Sequence, residues 1–284
     1  MRLRTITLDR RPALRRQFQQ LHDAAWPAFL NDVPVNALWP RLYTEFAAFQ
    51  LALVDARGRA VAVGNTVPLV WNGRPGSLPD RIVDVLRRAI GDRARDRRPT
   101  ALSALAAIVD PAHRGRGLSA RVVRAMAALA AARGLRALVA PVRPSGKGAY
   151  PLTPMAEYAR WRTPEGRAFD PWLRVHVDLG ARLLRVTPRG NTTRGTVCEW
   201  EATTGLRFPA SGRYVVPGAF QPIAVDRERD HVLYEEPNVW MLHPVPRRRR
   251  SAERRDQRTK KPSTRRRGPP SSSTARITPS KRGS

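Results

Sequence analysis

The passage best equipped for chemistry is Ile108-Val109-Asp110-Pro111-Ala112-His113-Arg114-Gly115-Arg116-Gly117-Leu118-Ser119. An apolar run from Leu102 to Val109 stops at Asp110-Pro111, and a glycine-arginine turn comes next. From Leu118 the apolar positions 118, 122, 126 and 129 read as an amphipathic helix, ended by Arg133 and the C-cap glycine Gly134. Ala137 to Val142 reads as a buried strand, so the unit is strand, turn, helix, strand. A helix N-terminus leaves backbone N–H groups unpaired and carries partial positive charge. Glycines there let a phosphate approach the backbone, and Arg114 and Arg116 can add charge-assisted bonds. The same residues also suit a plain strand-to-helix turn with two exposed arginines. A nucleotide P-loop is excluded, because no Gly-Lys-Ser/Thr stands four residues after a first glycine. Gly115-x-Gly117-x-x-Ala120 half-fits a dinucleotide fingerprint. That reading needs an acidic residue about 20 positions on, and 135–144 contains none.

A second candidate is His176. Helical spacing puts Trp172, His176 and Leu179 on one face, turning the imidazole inward, with Arg174 and Asp178 on the wet face. An imidazole titrates near ~6.5 and can give or take a proton, although an inward histidine also serves as a satisfied core residue. His22, His231 and His243 show no metal-ligand spacing and are assigned no chemistry; His113 is expected to face solvent beside the turn. Cys198 is expected buried and inert. Glu199 reads as the capping-box partner of Thr196. Tyr150, Tyr158 and Trp161 either pack together or shape a substrate pocket.

The elements that must hold these residues emerge from periodicity. MRLRTITL alternates as a strand, and a helix follows with Leu14, Phe18, Leu21, Ala25 and Phe29 on one face. Pro34 opens a second helical stretch carrying Leu38, Leu42 and Phe46. Phe49–Val54 and Ala60–Val67 form a hairpin about Asp-Ala-Arg-Gly. A helix runs from Ser77 and Pro79 to Ile90, and another from Asp170-Pro171 to Gly180, followed by a strand over 181–186. The segment 213–243 is strand-rich, clearest at Tyr214–Val216 and Val239–Leu242.

The passage IVDPAHRGRGLSARVVRAM closely resembles the coenzyme A-binding motif of the GNAT acyltransferase (N-acetyltransferase) superfamily. The pattern Arg/Gln-x-x-Gly-x-Gly/Ala falls on Arg114-x-x-Gly117-x-Ser119, where Ser119 departs from Gly/Ala but stays small. The strand, two helices and hairpin before the motif, and the helix–Leu179-Gly180–strand passage after it, resemble the superfamily's order. The likeness spans about residues 1–187, most specifically 100–187. The stretch 1–245 also looks like an uncharacterised bacterial group sharing YPLTPMxxYxRW and FDPWLRVHxxLGARxxRV.

This resemblance implies an α/β fold with a mixed, mainly antiparallel central sheet flanked by helices. The domain would cover 1–246, with its coenzyme A motif at 102–134. It implies a pantetheine in a splay between strands 102–109 and 137–142, held by backbone near Ile108, Val109 and Asp110. The pyrophosphate would lie over Arg114, Gly115, Arg116, Gly117, Leu118 and Ser119. The implied reaction moves an acyl group from acetyl-CoA or another acyl-CoA, without a metal, to an acceptor that is usually an amine. An oxyanion donor, a base and an acid are needed. Many members place a tyrosine acid four residues before the helix-ending glycine, and that position here is His176. Some members take the base from a carboxylate on the central strand, but residues 100–109 offer only Ser103. Glu199, Glu201 and a water relay remain as alternatives for the base.

Charge adds a second class of reading. The 284 residues carry 52 basic and 23 acidic side chains, net +29, and 42% are hydrophobic, which excludes wholesale disorder. Residues 247–284 hold 15 basic and 2 acidic side chains, the rest being mostly Ser, Thr, Pro and Gly, and are expected to be a disordered tail. Such a tail suits non-specific contact with nucleic acid or an anionic surface; with no aromatic to stack on bases, it does not suit sequence-specific recognition. The competing functions are therefore a catalytically inactive acyl-CoA sensor or a nucleic-acid-binding protein. One cysteine excludes a disulfide framework. No signal-like segment and no run of about 18 apolar residues is present, so a cytoplasmic location is expected.

Overall fold

The computed structural model of the chain describes residues 2–30 and 34–246. The basic tail expected at 247–284 lies outside the described residues. One nine-stranded sheet organises the rest. Strands β1 (Arg4–Thr7), β2 (Leu51–Val54), β3 (Ala60–Leu69) and β4 (Ala101–Val109) are antiparallel neighbours. β5 (Ala137–Val142) runs parallel to β4, as the right-handed crossover through a helix demands. The long β9 (His231–His243) is antiparallel to β5, and β6 (Arg182–Gly195) lies along its opposite edge. β8 (Ile223–Asp226) takes the start of the edge that β5 uses at the end, with β7 (Gly212–Tyr214) outside it.

Helices cover both faces of the sheet. On one, α1 (Arg15–Asp23) and α2 (Ile82–Ala94) join Phe18, Leu42, Phe46 and Leu86 to Val63, Val67 and Ala101. On the other, α3 (Leu118–Ala132) buries Val122, Met126 and Ala130 against Leu51, Leu102 and Leu138. Gly64 permits this close approach, because a Cβ there would fall 2.7 Å from Met126 Cε. The short α4 (Met155–Tyr158) and α5 (Pro171–Asp178) cover Val142, Val239 and Met241. α6 (Val197–Thr204) begins with the expected box, the Thr196 hydroxyl accepting from Glu199 N–H while the Glu199 carboxylate accepts from Thr196 N–H.

Four expectations needed correction, the first being that the helix read as far as Phe29 stops at Asp23, with Ala28–Leu30 a separate 3-10 turn. The helical stretch after Pro34 is instead a pair of single 3-10 turns, Trp39–Leu42 and Ala47–Phe49, whose apolar residues reach the core without helical spacing. The strand expected over 181–186 continues to Gly195 through an interruption between Thr187 and Asn191. Gly190 in that interruption cannot carry a side chain, since a Cβ would meet Asn238 Oδ1 at 1.6 Å. Cys198 is exposed. No helix of the described residues is long and apolar enough to cross a membrane.

Candidate active site

β4 and β5 pair only from Ala101–Ser103 to Ala137–Val139, and then diverge. Two local features favour the parting. Leu105 is the unmatched residue of a bulge, since Asn65 faces Ala106 and Thr66 faces Ala104. A bulge bends its strand and re-aims the residues beyond it. Pro141 also withholds a backbone donor from β5, so the ladder has less reason to continue. The strands open onto a cleft of about 630 Å³, lined by Ala104–Val109 on one side and Ala140–Arg143 on the other. Beyond Ser103, β4 has no strand partner on its β5 side among the described residues, which leaves backbone there for a ligand to meet.

The mouth of the cleft is the glycine-arginine turn. Asp110 closes β4 by accepting from Ala112 N–H at 2.9 Å. Gly115 and Gly117 have φ of +73° and +68°, left-handed values that glycine adopts without strain. Gly117 is the N-cap of α3, no side chain caps that end, and a Cβ on either glycine would enter open space. Unpaired N–H groups, helix polarity and room beside the backbone together fit a pyrophosphate. Of the residues read from sequence, Ile108, Val109, Arg114, Gly115, Gly117, Leu118 and Ser119 line the cleft. Asp110 and Arg116 do not; Asp110 is spent on the turn. His113, expected in solvent, is half-buried on the cleft wall, with Nδ1 3.7 Å from Asp110 Oδ2.

His176 lies farther in. α5 turns it inward as its spacing required, edge-on to Trp172. The helix is pinned by Asp170, which caps Trp172 and Leu173 N–H at 2.9 Å each. The same buried carboxylate accepts from Ser145 N–H, Gly146 N–H and the Tyr158 hydroxyl, tying α5 to the end of β5. His176 Nδ1 is 2.7 Å from His243 Nε2, at the end of β9. His176 Nε2 is buried and has no hydrogen-bond partner among the described residues. Burial, reinforced by the neighbouring imidazole, lowers the His176 pKa to about 3, and burial lowers that of His243 to about 4. Both rings are therefore neutral at pH 7. A charged acid at rest is excluded, whereas a lone pair that first receives a proton is not. His243, assigned no role from sequence, was missed because its partner is distant in the chain.

The cleft is also lined by His22, Trp26, Trp39, Arg143 and Asn191. Trp26 Nε1–H donates to His22 Nδ1 at 3.3 Å, leaving the His22 proton on Nε2, and His22 stacks on Trp39 at 4.4 Å. Desolvation lowers the His22 pKa, so this ring is neutral as well. Arg143 Nε lies 3.0 Å from both oxygens of the fully buried Glu236, and its guanidinium covers Phe220 at 4.0 Å. Tyr150, Tyr158 and Trp161 pack with Phe169 as an aromatic cluster outside the cleft, so they do not form the substrate wall. Glu199 and Glu201 are likewise occupied elsewhere, Glu201 accepting from Phe208 N–H and Arg207. Among the described residues no group of His, Cys, Asp and Glu is arranged to hold a metal ion.

Residues 80–153 match the model of the Acetyltransferase (GNAT) family. Over 249 residues the chain is 31% identical to arginine N-acetyltransferase avaD of Aspergillus versicolor, covering 78% of this chain and 85% of that protein. Among solved structures, the loading GNATL domain of CurA from Lyngbya majuscula superposes with a TM-score of 0.56 at 17% identity, over 86% of this chain and 97% of that one. GphF, a GNAT-like decarboxylase in complex with isobutyryl-CoA, gives 0.52 at 19% identity, over 87% and 100%. The splayed strands and glycine turn thus have a lineage as well as a geometry: the chain belongs to the GNAT acetyltransferase family and is an acyl-CoA-dependent N-acyltransferase acting on an amine.

Proposed function

We propose that the acceptor is arginine, and that His176 carries its proton to the departing sulfur. The observation that carries the acceptor assignment is the 31% identity over 249 residues to an arginine N-acetyltransferase. The cleft lining supports it chemically. Trp26 offers an aromatic ring to a guanidinium, while Trp39 backs the His22 ring. Asp23 lies in an adjoining pocket of about 270 Å³ that shares both tryptophans. Arg143 spends Nε and Nη2 on Glu236 and the Gly218 carbonyl, which leaves Nη1 to donate to a substrate carboxylate.

Acetyl-CoA or another acyl-CoA enters from the turn. Ile108 and Val109 contribute backbone along the splay, and Arg114 to Ser119 hold the pyrophosphate. Arg116 adds charge from outside the cleft wall, and Asp110 shapes the turn rather than touching the ligand. The acyl donor supplies the activated thioester. The chain supplies orientation, exclusion of water and a proton path. Unprotonated at rest, His176 receives the amine proton at Nε2 and passes it on, serving first as base and then as acid. This assigns the base that the sequence left open to the same ring.

An acceptor panel tests the reading by tracking release of the coenzyme A thiol. Arginine should outpace citrulline, which keeps the shape but lacks the charge, and ornithine, which lacks the planar fork. Equal rates for arginine and citrulline would remove the cation-recognition argument, and no arginine turnover would remove the acceptor.

A further inference from the structure

We infer that His243 is a positioning residue for acyl transfer: its Nε2 accepts the Nδ1 proton of His176 and thereby keeps a bare lone pair on the buried His176 Nε2. The inference deepens the proton-carrier reading and rests on it.

Donor counting leaves two directions for the bond, and the need of the first proton transfer selects one of them. Two neutral imidazoles whose nitrogens are 2.7 Å apart share one proton between them. If His243 donated, His176 would carry its own proton on Nε2, buried and pointed at nothing in the protein. Such a ring offers no lone pair to an incoming amine. If His176 donates, the unpartnered atom is an acceptor, and an acceptor is what the first proton transfer needs.

The pair is also held rigidly. His243 is fixed in β9, opposite Leu138 of β5, and is 3% exposed. His176 is fixed by α5, whose first turn is locked by Asp170 and whose end is set by Gly180 at φ +82°. Neither ring needs to move to keep the contact. Both residues are among those that line the cleft.

The proton inventory closes. As the acceptor nitrogen forms its bond to the acyl carbon, its proton passes to His176 Nε2. The ring is then briefly an imidazolium, with Nδ1–H still donated to His243. As the carbon–sulfur bond breaks, the Nε2 proton passes to the sulfur and His176 returns to its starting tautomer. Nothing is oxidised or reduced, and His243 neither gains nor loses a proton.

The test uses the full chain labelled with 15N-histidine. Long-range 1H–15N spectra at neutral pH report which ring nitrogen of His176 carries hydrogen, with His176→Phe supplying the assignment. The expected result is hydrogen on Nδ1 and a bare Nε2, with that preference lost in His243→Leu. Hydrogen on Nε2 in the unmodified chain overturns the inference directly. Turnover then separates positioning from packing. His243→Leu should lower kcat by about 10–100-fold with acetyl-CoA affinity unchanged, since control of a catalytic imidazole's tautomer is worth up to about 10⁴-fold in a hydrolase triad. His243→Asn, whose amide oxygen can accept from Nδ1, should recover much of that loss. In His176→Phe, adding His243→Leu should cost nothing further. Additive losses, or Asn no better than Leu, overturn it. Full activity of His176→Phe would instead remove the proton-carrier reading, while a crippled His176→Phe beside normal His243 variants would remove only the role of His243.

Discussion

The Arg114–Ser119 turn and the His176–His243 pair line the same cleft, yet they are built in opposite ways. The turn is one continuous run of chain, largely exposed, and its chemistry comes from backbone conformation. The pair joins two buried side chains from α5 and β9, and its chemistry comes from what packing removes, namely water and charge. A local device is specified by consecutive residue types. A long-range device needs the whole sheet in place.

If that contrast is right, damage to the two regions should separate into rate and affinity. The largest effect is expected at the pair. His176→Phe keeps a ring in the space and removes the proposed proton carrier, so turnover should fall by about 10²–10⁴-fold while the acetyl-CoA dissociation constant hardly moves. Steady-state rates beside calorimetric titration check it, and a parallel loss of affinity would break the separation.

Next comes the support of the pair. Asp170→Ala takes away a helix cap and the shared acceptor for two further amides and the Tyr158 hydroxyl. A lost cap costs about 1 kcal/mol and each stranded buried donor about 1–3 kcal/mol, partly relieved by water. Denaturant unfolding should show about 2–4 kcal/mol of destabilisation, together with slower turnover as α5 loosens. Stability within 0.5 kcal/mol, which is roughly the scatter of surface substitutions, would show that α5 is held by packing alone.

The turn should answer in the opposite sense. Gly117→Val forces a β-branched residue toward φ +68° and fills the space beside the helix end. Acetyl-CoA affinity should weaken at least about tenfold, equivalent to about 1.4 kcal/mol. Turnover at saturating acyl donor should suffer far less. A tenfold lower kcat at saturation would mean the turn also orders the reacting groups.

The smallest effect concerns pH. Both imidazoles are held well below their free value of 6.5, at about 3 and about 4. Between pH 6.5 and about 4 the unfolded chain binds protons that the folded pair refuses. The contribution is therefore fully present above 6.5 and lost as the medium becomes more acidic, by up to about 1.4 kcal/mol per pH unit for each ring. Stability of His176→Phe should fall less steeply over pH 6 to 4.5, and an unchanged slope would mean the ring is not desolvated.

The sequence disclosed what neighbouring residues decide. The turn, the boundaries of β5 at Ala137 and Val142, the capping box at Thr196 and the inward face of α5 were all legible in short-range pattern. It misjudged what distance decides. The apolar spacing of Leu38, Leu42 and Phe46 resembled a helix, although those side chains fill a core from single turns. Tyr150, Tyr158 and Trp161 suggested a pocket, but they found one another and Phe169. His22 and His243 gave no local signal. Each acquires its meaning from the residue beside it in space, Trp39 for one and His176 for the other.

The position of β9 has a consequence for how this chain comes into being. It is the last strand of the described residues and lies between β5 and β6, both made much earlier. Pairing of Leu138 with His243 closes a loop of about a hundred residues, the kind of contact that slows folding. During synthesis, β5 waits with a bare edge, open to joining the wrong strand. The arrival of β9 therefore closes the sheet and completes the imidazole pair in one event. A nascent chain interrupted before His243 would present the glycine-arginine turn without the imidazole pair.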